Sequence, residues 1–220
     1  MTKSQENYQE IIHTIKTAAS ESGRKPTDVT LIAVTKTFLR DDIEPVLTLG
    51  HKIFGENKVQ EAYNKWVEIK KDYPDIKLHL IGPLQTNKTA EAIALFDVIE
   101  TVDREKLAQK IAEELVKTPK NIELMIQINT GEEPQKAGII PQEADNFIEY
   151  CLNDLKLPIK GLMCIPPFED EPSPHFAFLS KIARKHNLSQ LSMGMSGDYK
   201  IAVKQGATYV RVGSAIFGTR

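Results

Sequence analysis

The chain has 220 residues, with 28 Lys and Arg against 30 Asp and Glu for a formal charge of −2, and the two signs are interspersed. That balance gives no electrostatic reason to expect nucleic acid or an anionic membrane as a partner. The length suits one large domain burying ~70–75 % of its unfolded surface, and no run approaches the ~20 apolar residues of a membrane span.

The N-terminal stretch MTKSQENYQE is polar and lacks the apolar core of a secretory signal, so a cytoplasmic protein is expected. Tyr8, Ile11, Ile12, Ile15, Ala18 and Ala19 then fall on one face at the 3.6-residue period and predict a helix ahead of the first strand. VTLIAVTK (29–36) is the first of eight predicted strands. It is followed by HKIFG (51–55), KLHLIG (77–82), FDVIET (96–101), NIELMIQIN (121–129), IKGLMCI (159–165), QLSMGM (190–195) and TYVRVG (208–213). Most are short and apolar on both faces, as parallel strands covered by helices are. Helical patterns fill the gaps. Val59, Ala62, Tyr63 and Trp66 share a face; Asp103 can cap a helix carrying Leu107, Ile111 and Leu115; residues 141–152, 174–187 and 197–205 complete the series.

Eight strands joined by helices predict an α/β fold, a single (β/α)8 barrel. The alternative is a doubly wound open sheet, but nothing resembling GxGxxG follows the first strand. No Gly/Ser linker or composition shift divides the chain, so residues 1–220 are expected to form one domain. Cys151 and Cys164 show neither metal-ligand spacing nor a disulfide framework, and no metal site is expected. Cys164 closes an apolar run and reads as a small core residue.

In such barrels chemistry lies at the C-terminal mouth, so the residues ending each strand matter most. Here they are Lys36, Glu56 with Asn57, His79, Thr101, Asn129, Cys164, Met193 to Ser196, and Arg211 with Gly213 and Ser214. By strand parity Ile32, Val34 and Lys36 share a face that would be the barrel interior, where a partly desolvated amine becomes a nucleophile. A lysine snorkelling to solvent is the other reading of this stretch. Ser196, Gly197 and Asp198 precede a predicted helix, and Gly213 and Ser214 open another. Helix N-termini after strands seven and eight are the usual phosphate site of this barrel, although either serine alone reads equally as an ordinary N-cap. A Schiff-base lysine and a phosphate cradle across one mouth point to pyridoxal 5′-phosphate (PLP), with Arg211 as partner for its pyridine nitrogen.

AVTK, FGENKVQEA, HLIGPLQTNK, INTGEEPQKAG, GLMCIPP, LSMGMSGDY and VRVGSAIFG, in this order, closely resemble the pyridoxal phosphate homeostasis proteins. Those are single-barrel relatives of the N-terminal domain of alanine racemase, and the resemblance runs from about residue 8 to residue 220. It implies a PLP fold type III barrel with an extra N-terminal helix and no C-terminal β-domain. It implies that Lys36 carries PLP as an internal aldimine, that Ser196, Gly213 and Ser214 hold the phosphate, and that Arg211 faces the ring nitrogen. Asn57 and His79 would line the ring, with Met195 and Ile81 packing around it. The racemases follow their lysine with Tyr-Gly-His, the tyrosine of which helps bind phosphate; here Thr37, Phe38 and Leu39 follow.

The resemblance implies a non-catalytic carrier in intracellular vitamin B6 homeostasis that buffers or delivers PLP, with free amino acids and PLP-dependent apoenzymes as further partners and no catalytic residues. No intact heptad or exposed apolar strand demands a dimer, so a monomer is expected. The rivals are a PLP-dependent amino-acid racemase and a cofactor-free Schiff-base aldolase acting on a sugar phosphate.

Overall fold

The computed structural model describes residues 1–218; Thr219 and Arg220, the last two residues of the expected domain, lie outside the described residues. Eight parallel strands close into a barrel in chain order: β1 (Thr30–Val34), β2 (Ile53–Glu56), β3 (Lys77–Leu80), β4 (Val98–Val102), β5 (Glu123–Ile128), β6 (Ile159–Cys164), β7 (Gln190–Ser192) and β8 (Tyr209–Val212). β1 pairs with β8 to seal it, with Ile32 opposite Arg211 and Ala33 opposite Val212.

Nine α-helices are described: α1 (Lys3–Glu21), α2 (Arg40–Leu47), α3 (Val59–Asp72), α4 (Thr89–Leu95), α5 (Glu105–Lys117), α6 (Pro141–Glu149), α7 (Pro172–Lys185), α8 (Tyr199–Lys204) and α9 (Ser214–Phe217). A wide turn over Tyr150–Asp154 continues α6. The expected N-terminal helix is α1, begun by a Thr2–Gln5 capping box. It lies against α2, α8 and α9, and Asn7 Nδ2 donates to Ile216 O at 3.0 Å. That bond satisfies a carbonyl of the last helix and ties α1 to the barrel mouth.

Strand register separates two layers of side chains. Residues paired across parallel strands share a face, so Ile32, Arg211, Gly55, His79, Val98, Met163 and Ser192 fall on one side. That side is the interior, because Glu100 on β4 bonds Ser192 on the non-adjacent β7. The alternating residues Leu31, Ala33, Phe54, Leu78, Ile99 and Leu124 join the helices in the main apolar core; the Phe54 and Trp66 rings, for instance, sit 4.9 Å apart. Burial on both faces explains why the strands read as unbroken apolar runs.

Candidate functional site

β1 stops at Val34, two residues short of the expected end. Thr35 keeps one ladder bond, its N–H donating to Gly55 O at 3.0 Å, and the chain then turns away from the sheet. Lys36 therefore rides on a turn at the mouth and is exposed, not partly desolvated on the interior face as strand parity predicted. Its amine makes no hydrogen bond or ion pair with the described residues. Thr37 beside it has φ 67°.

Arg211, 3 % exposed, projects from β8 into the barrel. Its NH1 donates to Ser192 Oγ at 2.7 Å and its NH2 to Cys164 O at 2.8 Å. Ser192 Oγ donates in turn to Glu100 Oε2 at 2.5 Å, and the other Glu100 oxygen lies 2.7 Å from His79 Nδ1. The carboxylate fixes a hydrogen on Nδ1 of the imidazole, and the arginine is locked in orientation by a charged chain running through the interior. A guanidinium carries five N–H donors, so the Nε–H and one hydrogen on each terminal nitrogen of Arg211 have no partner among the described residues. His79 is thus an interior histidine fixed through Nδ1 by a buried carboxylate.

After β7 and β8 the two expected serines converge, with Ser214 Oγ 3.2 Å from Ser196 Oγ. Neither is an N-cap: those positions belong to Asp198, whose Oδ1 accepts from Met195 N at 2.6 Å, and to Gly213. Apart from the bond between them, neither hydroxyl meets a partner among the described residues. At Gly213 an added Cβ would stand 3.0 Å from Val34 O, so glycine lets the end of β8 lie against the end of β1.

The remaining expected residues line the rim. Asn57 follows β2 with its backbone pressed against Gly82, where a Cβ would come within 2.3 Å of Asn57 O. Ile81 follows β3, its N–H bonded to Glu56 O at 2.9 Å and its side chain facing Gly55. Met195, 38 % exposed, borders a cavity of about 420 Å³ with Lys136, Pro166, Phe168 and Ile201.

Cys164 is buried in the core, and burial pushes the thiols of Cys151 and Cys164 up to about 12, which leaves neither ready to act as a nucleophile. Glu56, the last residue of β2, and Thr101, next to last in β4, spend their side chains within the fold. Glu56 bonds Trp66 Nε1 of α3 at 2.8 Å, and Thr101 Oγ1 donates to Gly82 O at 2.8 Å. Among the described residues no group of three His, Cys, Asp or Glu side chains is placed to hold a metal ion. Sequence reasoning missed Glu100, Ser192 and Lys65. The signal for Glu100 was available: a carboxylate inside the apolar run VIETV has to meet a partner.

Residues 7–220 match the family described as alanine racemase, N-terminal domain. The pyridoxal phosphate homeostasis protein of Vibrio cholerae is 37 % identical over 230 residues, covering 100 % of this chain and 98 % of the relative. A structure of an unknown protein from Bifidobacterium adolescentis superposes with a TM-score of 0.90 at 28 % identity, covering 97 % of this chain and 94 % of the other. PipY of Synechococcus elongatus, solved with PLP bound, superposes with a TM-score of 0.79 at 34 % identity, over 93 % of this chain and 100 % of the other. With the barrel in chain order and the two serines converging after β7 and β8, the chain belongs to the alanine racemase N-terminal domain family, among its pyridoxal phosphate homeostasis proteins.

Proposed function

We propose that this chain, as one domain over residues 1–220, binds PLP covalently and acts in PLP homeostasis by holding and releasing the cofactor. Lys36 would attach it, Ser196, Ser214 and the backbone at Gly213 would hold the phosphate, and Arg211 would meet the ring nitrogen. Asn57, His79, Ile81 and Met195 would enclose the ring. When bound, PLP supplies an aldehyde that forms a Schiff base with a lysine and a pyridine ring that draws electrons from it.

The observation that carries this reading is the donor set. An amine without a partner among the described residues, two facing hydroxyls that cap no helix, and a buried guanidinium with spare N–H groups are the kinds of group that would take the aldehyde, phosphate and acceptor nitrogen of PLP. PipY with PLP bound supports it, as does the name of the Vibrio cholerae relative. The experiment is the visible spectrum of the native protein before and after free amino acids, which would compete with Lys36 for the aldehyde. A colourless protein that takes up no PLP would sink the reading.

The phosphate should dominate non-covalent affinity. Charge-assisted hydrogen bonds are worth roughly 1.5–3 kcal/mol each, so two of them already separate PLP from pyridoxal by at least ~100-fold. Titration with both compounds checks this, and equal affinities would remove the cradle.

We propose further that the protein works in the cytoplasm as a monomer and is a carrier rather than a racemase. An arginine stays protonated at ordinary pH and only donates, so Arg211 would keep the ring nitrogen an acceptor and the ring a weak electron sink. In deuterated water, L-alanine and a panel of other amino acids should show spectral change without appreciable α-proton exchange. Turnover near the ~10 s⁻¹ typical of enzymes would favour the racemase instead.

A further inference from the structure

Attachment at Lys36 needs more than a free amine, because the turn that bears it has left the sheet and turns at such positions are ordinarily mobile. Side chains of α3 reach this one. Lys65 Nζ, its side chain 9 % exposed, donates to Thr35 O at 2.6 Å and Phe38 O at 2.7 Å and meets Glu56 Oε1 at 2.8 Å. The ammonium thus has two backbone acceptors in the turn and a buried carboxylate beside it. Glu56 Oε1 also accepts from Thr35 Oγ1 at 2.7 Å and from Trp66 Nε1 at 2.8 Å. One turn earlier on α3, Glu61 accepts the N–H of Thr37. Thr37 is β-branched at φ 67°, a conformation such residues rarely adopt without outside support. The residues on both sides of Lys36 are therefore bolted to one helix.

We propose that Lys65, with Glu56 and Glu61, is a positioning clamp that sets the approach of the Lys36 amine to the cofactor without touching the cofactor. This rests on the reading that Lys36 carries PLP. Attachment condenses the amine with the aldehyde, forming one C=N bond and releasing one water, with no change of oxidation state. The hydroxyls proposed to hold the phosphate lie between β7 and α8 (Ser196) and at the start of α9 (Ser214), and neither bonds a residue of α3. The turn meets α9 where the Phe38 and Phe217 rings lie 5.1 Å apart. The clamp should consequently govern covalent attachment and leave non-covalent binding alone.

The test compares wild type with Lys65→Met and Glu61→Ala. Covalent attachment of PLP is timed by borohydride quench and mass spectrometry. Affinity for 4′-deoxypyridoxine 5′-phosphate, which lacks the aldehyde, is measured by calorimetry, and folding by circular dichroism. Misplacing a reacting group by about 1 Å costs up to ~100-fold, so attachment should slow by at least ~10-fold while analogue affinity stays within ~2-fold. Lys65→Met leaves Glu56 buried without its cation; should that variant not fold, Glu61→Ala, at a side chain 31 % exposed, decides the matter. Unchanged attachment rates with the label on Lys36, or analogue affinity falling in step with attachment, would overturn the clamp alone. A wild-type label on another lysine would overturn the functional reading and the clamp with it.

Discussion

Lys36→Ala is expected to abolish covalent retention of PLP after borohydride, and with it the visible band, while leaving the barrel folded. Both halves follow from where the side chain sits. Lys36 is exposed beyond the end of β1 and its amine has no partner among the described residues, so its removal should change stability by no more than about 0.5 kcal/mol. Other lysines that could compete for the aldehyde are engaged: Lys52 with Asp75 at 3.0 Å, Lys88 with Glu91 at 2.8 Å and Lys136 with Glu133 at 2.5 Å. Each of those amines would have to leave its carboxylate to reach the aldehyde. Lys65 is close in space, but its amine is held by the Thr35 and Phe38 carbonyls and paired with Glu56. Peptide mapping of the reduced wild-type protein should place the label on Lys36. A label on Lys52, Lys88 or Lys136, or full retention by Lys36→Ala, would show that the strand-one lysine is not the attachment point.

The order and number of the strands were legible because a strand buried on both faces leaves an apolar run, and eight such runs alternate with helical periods. Their C-terminal ends were not. LIAVTK reads as strand to Lys36, yet the chain departs at Thr35 because a lysine and a glutamate from distant segments take the Thr35 carbonyl and hydroxyl. QLSMGM reads as strand to Met195, but β7 ends at Ser192, followed by Gly194 at φ 90° and an Asp198 carboxylate holding Met195 N. Helices α2 and α4 were not separately expected; one contains Pro45 and the other has only seven residues, so neither leaves a long periodic stripe. The serine pair was legible from position alone, since residues just past neighbouring strands of a closed barrel must meet. Glu100 with Ser192, and Lys65 with the Lys36 turn, were out of reach for a different reason. Contacts across a barrel depend on strand register, and one sequence does not specify register.

The second large effect is expected from Glu100→Gln, which should destabilise the protein by about 3 kcal/mol, the lower end of the cost of breaking a buried charge pair. Glu100 is fully buried, with one oxygen on His79 and the other on the Ser192 hydroxyl that Arg211 also bonds. Its carboxylate stands 4.0 Å from Arg211 NH1, so the coupling is partly carried by the serine, which argues for the low end. Glutamine keeps the shape but removes the charge, leaving a guanidinium in the barrel interior with only a hydroxyl and the Cys164 carbonyl as acceptors. For a domain of this length the midpoint of thermal unfolding should fall by roughly 6–12 °C. A fall of less than about 2 °C would mean that the interior chain contributes little to the fold. The paired change Glu100→Leu with Arg211→Met separates the two roles of the network. Replacing a buried pair by apolar groups of similar volume is often neutral, so stability should return toward wild type. The spare N–H groups proposed to meet the cofactor ring would be gone, however, and PLP that still attaches at Lys36 should dissociate faster. Recovery of stability without recovery of cofactor retention is the pattern expected if these charges are kept for the ligand rather than for the fold.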